Sequence, residues 1–166
     1  METEVKERVS ADVEGGKFLT FQLQDEEYGL EILKVREILG VMEITTVPRT
    51  PEYVKGVVNL RGQVIPVIDL RLKFGMARED YGRRTCIIVV DVKGLMMGIV
   101  VDTVSEVMDI DSSEIEKTPS FGATLNTDYI LGMGKVKGGV KILLDIDKVM
   151  TADEINKLRK VEADHV

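Results

Sequence analysis

The chain has 166 residues, with 22 lysines and arginines against 29 aspartates and glutamates, a formal charge of −7, and 44% hydrophobic residues. That is an ordinary globular mixture, long enough to bury a core as one domain or two small ones. One cysteine (Cys86) and one histidine, the penultimate His165, exclude an internal disulfide, thiolate or histidine-ligated metal, and Ser-His-Asp or Cys-His catalysis. An acidic chain with no tryptophan lacks the basic stripe and stacking platforms of a nucleic-acid binder.

Residues 1–16 are charged, short of large apolar side chains and closed by Gly15-Gly16, and read as a loose tail. No apolar run follows a basic end there, so no signal peptide is expected. From Phe18 the pattern alternates, with Leu19, Phe21 and Leu23 on one side and Thr20 and Gln22 on the other, which predicts a half-buried strand. Gln24–Glu27 reads as a polar turn, and Tyr28–Leu39 as strand-like, its apolar residues fitting either period in places.

Thr50 to Gly56 has the form of a short helical turn. Thr50 can cap it, Pro51 takes the first helical position and Gly56 closes it. Val57–Leu60 and Val64–Leu70 flank Arg61-Gly62-Gln63 and predict a hairpin, with Pro66 pointing to an edge strand or a bulge. Residues 74–84 are polar and glycine-punctuated, a connection. Thr85–Asp91, Met97–Asp102 and Val140–Ile146 read as further strands. The apolar runs Cys86–Val90 and Leu95–Val101 are cut apart by Asp91 and Lys93, and neither approaches the ~20 residues of a membrane-spanning helix. A cytoplasmic location is expected. A helix is predicted from Thr151, where Thr151-Ala-Asp-Glu154 has capping-box spacing and Ile155, Leu158 and Val161 recur every three residues.

The most informative feature is an internal repeat. Residues 28–38 match 97–107 at an offset of 69, aligning Gly29 with Gly98, Val35 with Val104 and Glu37 with Glu106. Residues 51–70 match 127–146 at an offset of 76, aligning Tyr53 with Tyr129, Gly56 with Gly132, Gly62 with Gly138 and Asp69 with Asp145. The segments keep their order in each half. Two copies are too few for a solenoid. They predict a mainly β fold of two small units, approximately 17–80 and 81–150, too small to be stable apart and therefore packed together. Barrels or sandwiches suit such short strands, and closed barrels also remove exposed edges. Asn126–Gly132 repeats the capped turn of 50–56, so each unit is expected to carry a helical turn before its hairpin.

Several motifs invite chemistry and are better read structurally. Asp69 and Asp145 occupy equivalent places, which indicates a repeated cap or turn and no catalytic carboxylate pair. Gly132-Met-Gly134-Lys-Val-Lys-Gly138 departs from the dinucleotide fingerprint, and a strand follows it where a helix is needed. The eight methionines, among them Met96, Met97, Met108 and Met133, read as core filling. Cys86 reads as a buried, inert thiol. Arg61, at a hairpin tip, stands out, because arginine is enriched at interface hot spots. The repeat places an acid and a base in both halves, Glu37 with Arg61 and Glu106 with Lys137. This predicts a Glu37–Arg61 charge pair, with the weaker lysine version in the second half.

Leu23–Ile38, Tyr53–Gly75, Gly98–Val107 and Phe121–Gly134 closely resemble the CheW family of bacterial chemotaxis coupling proteins, above all in the stretch KGVVNLRGQVIPVIDL. The match spans residues 17–150. The resemblance implies two five-stranded barrels like Src-homology-3 domains; exchange of strands between the two units is left open. It implies an adaptor with no catalytic activity and no cofactor. It implies two partners: the cytoplasmic tips of methyl-accepting chemoreceptors and the regulatory domain of a CheA-type histidine kinase, joined in arrays at the inner face of the membrane. It places Val35, Glu37, Gly56, Leu60 and Arg61 at a partner-binding surface. A coupling protein of a non-swimming pathway, a small-ligand binder or an enzyme using the cleft between the units are the alternatives.

Overall fold

In the computed structural model, the described residues are 14–117 and 128–164. Most of the expected tail, residues 121–127 of the family-like stretch, Asn126, Thr127 and His165 fall outside them. Eleven strands run as β1 (Gly16–Leu23), β2 (Glu26–Glu31), β3 (Val35–Gly40), β4 (Val54–Leu60), β5 (Gln63–Asp69), β6 (Cys86–Val92), β7 (Leu95–Val101), β8 (Thr103–Ile110), β9 (Ile115–Glu116), β10 (Ile130–Val136) and β11 (Gly139–Leu144). The helices are α1 (Leu70–Lys73), α2 (Ile146–Val149) and α3 (Ala152–Asp164).

The strands form two sheets, β3-β6-β7-β5-β4 and β8-β1-β2-β11-β10-β9. The fold is mainly β, two barrel-like domains of the Src-homology-3 type, with the two-residue β9 added to the second. The expected boundary near residue 80 lies in the connection between α1 and β6, and the strands on its two sides are shared between the sheets. Each sheet takes the opening hairpin of one repeat and the remaining strands of the other. The parallel pairing of β5 with β7 sets Val67 against Gly98. Its mate, β11 with β2, sets Leu143 against Gly29, the same register in both copies. The glycines are needed there. A Cβ on Gly29 would come within 2.8 Å of Leu143, and one on Gly98 within 2.7 Å of Ile87. The bulges repeat as well, at Val54/Gly56 in β4 and at Ile130/Gly132 in β10.

Three apolar clusters follow from period-2 alternation. Alternate residues of β1, β6 and β7, such as Leu19, Phe21, Ile88, Val90, Met97 and Ile99, meet between the sheets with Leu30, Ile68 and Leu144. The opposite faces fill the two barrels: Val58, Ile65, Val67, Ile87 and Val89 in the first, Phe18, Ile110 and Leu143 in the second. Strand β1 is therefore buried on both faces, and Thr20 is sealed in at 1% exposure with its hydroxyl bonded to Glu106 O. The half-buried reading fails because the second barrel covers that face.

The second barrel holds a polar substitution. Lys141, on the same face of β11 as Leu143, is buried and ion-paired with Glu27 of β2. In the first barrel the equivalent positions are Ile65 and Met96, packed with the apolar residues.

Three expectations are corrected. Residues 50–56 form a β-turn, with Val54 N donating to Pro51 O at 3.0 Å, and Gly56 lies inside β4. The helical turns come after the hairpins, where Asp69 caps α1 by accepting from Leu72 N and Asp145 caps α2 by accepting from Asp147 N. Strand β5 is interior, but its pairing with β7 starts at Val67, so Pro66 lacks its N–H where no ladder needs it.

Helix α3 begins with the expected capping box: Thr151 N donates to Glu154 Oε1 at 2.8 Å, and Glu154 N to Thr151 Oγ1 at 3.1 Å. Ile155 and Leu158 enter the inter-sheet cluster. The Glu154 carboxylate also accepts from Tyr53 Oη at 2.5 Å and from Lys73 Nζ at 2.9 and 3.1 Å. Desolvation raises its pKa, but the Thr151 amide, the Tyr53 hydroxyl and Lys73 outweigh that and bring it to about 2. The folded pKa lies below the unfolded one. The stability it supplies is therefore full above the ordinary carboxylate range and fades as pH falls toward 2. Urea titrations across this range are expected to show a shallower loss for Glu154→Gln than for the unaltered chain. Equal slopes would remove Glu154 from the acid response.

Candidate functional site: the Glu37–Arg61 face

The site is built from a strand and a turn that the sequence shapes closely. Arg61 and Gly62 form a two-residue hairpin loop with φ of 53° and 87°. Two positive φ values are the turn that matches the right-handed strand twist. Gly62 adopts its value freely. Arg61 is held there by the hairpin, and Asn59 Oδ1 accepts from Gly62 N at 2.8 Å. The guanidinium thus projects from a fixed backbone.

Glu37 follows a bulge in the pairing of β3 with β6, between Val35 and Glu37. It meets Arg61 in two parallel hydrogen bonds, Nη1 to Oε1 at 3.1 Å and Nη2 to Oε2 at 2.7 Å. Arg61 is 69% exposed and Glu37 31%. The Arg61 hydrogen bonds hold the Glu37 carboxyl below the usual carboxylate range, and Glu37 raises the Arg61 pKa in turn. The planar fork fixes direction as well as charge. The pair expected from the sequence is present.

The other candidate residues divide by depth. Val35 opens β3 and packs against the inter-sheet cluster, whereas Leu60 closes β4 against the cluster inside the first barrel. Gly56 is buried, with φ 141°, and a Cβ there would overlap the Thr45 carbonyl oxygen. It shapes the strand beneath the surface. Around Glu37 the chain leaves large apolar side chains in solvent: Leu33 is 81% exposed, Ile38 44% and Val41 42%. Ile38 points to the face of β3 opposite Glu37, so this segment offers a rigid charged fork on one face and exposed apolar surface on the other.

The second repeat lacks the charge pair. Among the described residues no ion pair joins Glu106 to Lys137, and Lys135 pairs with Glu116 of β9 instead. At that hairpin only the glycines, Gly138 at 102° and Gly139 at 127°, take positive φ. Lys137 is therefore not set as Arg61 is.

The remaining motifs are structural. Asp69 accepts from Tyr81 Oη at 2.7 Å as well as capping α1. Gly132 and Gly134 lie within β10 and pack against Ile115 and Ile110. Cys86 is partly exposed rather than buried, because it opens β6 at the sheet margin, and its thiol donates to Arg84 O at 3.3 Å. Met97 and Met150 are core residues. Among the ion pairs that the sequence does not foretell are Arg71 with Asp102, and Lys73 with Glu154, the latter joining residues 81 apart. Among the described residues no helix is long and apolar enough to cross a membrane, and no group of His, Cys, Asp or Glu is placed to hold a metal ion.

A family model of the CheW-like domain matches residues 17–154. This chain belongs to the CheW family. It is 39% identical to the chemotaxis protein CheW of Klebsiella aerogenes over 158 residues, 95% of each chain. It is 33% identical to that of Rhizobium meliloti, covering 84% of this chain and 90% of the relative. The protein FrzA of Myxococcus xanthus is 29% identical over 136 residues, 81% of this chain and 84% of FrzA. The crystal structure of the scaffolding protein TtCheW from Thermoanaerobacter tengcongensis superposes with a TM-score of 0.76 at 35% identity, covering 84% of this chain and 95% of TtCheW. The CheW-family chain thus shares both the fold and the barrel pair of that scaffold.

Proposed function

We propose that this CheW-family chain, a chemotaxis adaptor, couples the cytoplasmic tips of methyl-accepting chemoreceptors to the regulatory domain of a CheA-type histidine kinase in arrays at the inner face of the membrane. It does so without catalysis or a cofactor. The observation that carries the reading is the bidentate Glu37–Arg61 pair on a fixed hairpin tip, in a chain of this family whose neighbouring segment also exposes Leu33, Ile38 and Val41. Val35, Leu60 and the two charged residues form the contact surface, and buried Gly56 sets its backbone.

The mechanism is bridging. Once one partner is held, the second contact forms at high effective concentration. Receptor state reaches the kinase only if the bridged contacts differ in strength between receptor states. In membranes reconstituted with receptor and kinase, this chain is expected to raise kinase autophosphorylation. Equal output with and without it would end the adaptor reading.

The pair itself is tested by a double-mutant cycle. Arg61→Ala should fold normally, because the guanidinium is mostly in solvent, yet weaken partner binding by at least about tenfold. With Glu37→Ala the losses should be less than additive. Strictly additive losses in measured Kd would show that the two residues act separately.

A further inference from the structure

The two repeats carry equivalent hairpins, and the first is tied to α3. Tyr53 stands at the base of the β4–β5 hairpin. Its carbonyl accepts from Asp69 N at 2.7 Å, and its neighbour Val54 begins β4. Its hydroxyl donates to Glu154 of α3, and Lys73 lies 5.0 Å from the centre of its ring while also bonding Glu154. Lys73 and Glu154 are 18% and 20% exposed, so the cluster is largely shielded from solvent. The mate of Tyr53 is Tyr129, whose carbonyl accepts from Asp145 N at 2.8 Å in the same way. Its ring instead stacks on Phe74 at the C-terminal end of α1, 5.0 Å between centres. The hairpin held by α3 is the one that presents Arg61.

We propose that α3 is a latch on the β4–β5 hairpin, with Glu154, Tyr53 and Lys73 as positioning residues that fix the base of β4 and through it the pose of the Glu37–Arg61 face. The charge-assisted bonds from Tyr53 and Lys73 fix two chain segments to the first turn of the helix. Ile155 and Leu158 in the core and the bond from Arg159 to Lys93 O hold the rest of α3 in place. Local openings of a protein are set by such ties, and loosening one raises exchange in the segment it holds. By linkage, a ligand that draws α3 away lowers affinity at the Arg61 face, and a partner on that face tightens α3. This consequence rests on the reading of that face as the partner surface; the latch itself does not.

The test is amide hydrogen exchange in the full chain. Tyr53→Phe keeps the ring under Lys73 and removes only the hydroxyl. Glu154→Gln keeps the shape and removes the charge. Lys157→Ala removes an exposed pair with Asp153 on α3 without touching Tyr53, Lys73 or Glu154. The first two are expected to speed exchange over Val54–Leu60 by about tenfold while leaving Ile130–Val136 of the mate hairpin unchanged. Lys157→Ala should leave both hairpins unchanged. Unaltered exchange in β4, or equal acceleration in both hairpins, would overturn the latch. The same variants are then titrated with the purified regulatory domain of a CheA-type kinase and with a receptor cytoplasmic fragment. Weaker binding to either supports the full proposal. Faster exchange in β4 with unchanged affinity for both keeps the latch and overturns the placement of the partner surface.

Discussion

Gly56→Ala is expected to destabilise the fold by about 3 kcal/mol, the combined cost of a strained backbone and an overlap with a neighbouring main chain. The φ of 141° is a value that side chains rarely adopt, and the added methyl would overlap the Thr45 carbonyl. Backbone cannot yield there, because Thr45 and Val57 exchange two hydrogen bonds, at 2.8 and 2.9 Å. Controls separate the two costs. Gly62 has φ 87° with nothing near its missing Cβ, so Gly62→Ala should lose only about 1 kcal/mol, the conformational part. Gly132, the mate of Gly56, would meet Glu116 O at 2.8 Å without the positive φ, and should fall between. Urea denaturation measures all three. A loss at Gly56 no larger than at Gly62 would show that the Thr45 contact relaxes.

The Glu27–Lys141 pair gives the second large effect. Lys141 has only 9% of its side chain in solvent, Glu27 has 34%. Glu27→Met leaves a buried ammonium without its carboxylate and should cost about 2–4 kcal/mol, toward the lower part of the range for broken buried pairs because the partner is partly solvated. Lys141→Ile leaves a carboxylate that water can reach and should cost about 1 kcal/mol. The double variant installs the residues that the first barrel already uses at these positions, Met96 and Ile65, and should be at least as stable as the unaltered chain. Losses that simply add would show that the second barrel cannot accept the apolar packing of the first.

The sequence disclosed the repeat and the pair of small β units it builds, but not how their strands pair. Matching Gly29 to Gly98 is a statement about local backbone, and both prove to be glycines that a facing strand approaches closely. Which strand faces them is a long-range fact: Gly29 lies against Leu143 and Gly98 against Val67. The reciprocal exchange of hairpins was therefore out of reach of the pattern. The turn at 50–56 was misjudged because Thr, Pro and a later Gly serve a β-turn as well as a helix start. Glu37 and Arg61 were legible because each sits where a repeat anchors it. Their counterparts Glu106 and Lys137 form no pair, since a bidentate grip needs both the arginine and its left-handed turn. The Tyr53–Glu154 bond spans 101 residues and left no local trace beyond the capping box, which already explained Glu154.

The exchanged hairpins also dictate an order of events during synthesis. The first sheet uses only residues between Val35 and Val101, so it can close once that stretch has left the ribosome. The β1–β2 hairpin, made earliest, must wait for β8 and then for β11, which ends at Leu144. Until then Phe18, fully enclosed in the finished protein, lacks its cover from Ile110 and Leu143, and the outer edges of the hairpin have no neighbour. The interval between the first emergent strand and its last partner is the stage at which this chain depends most on chaperones, and a stall after Val101 would leave a closed barrel trailing an adhesive hairpin.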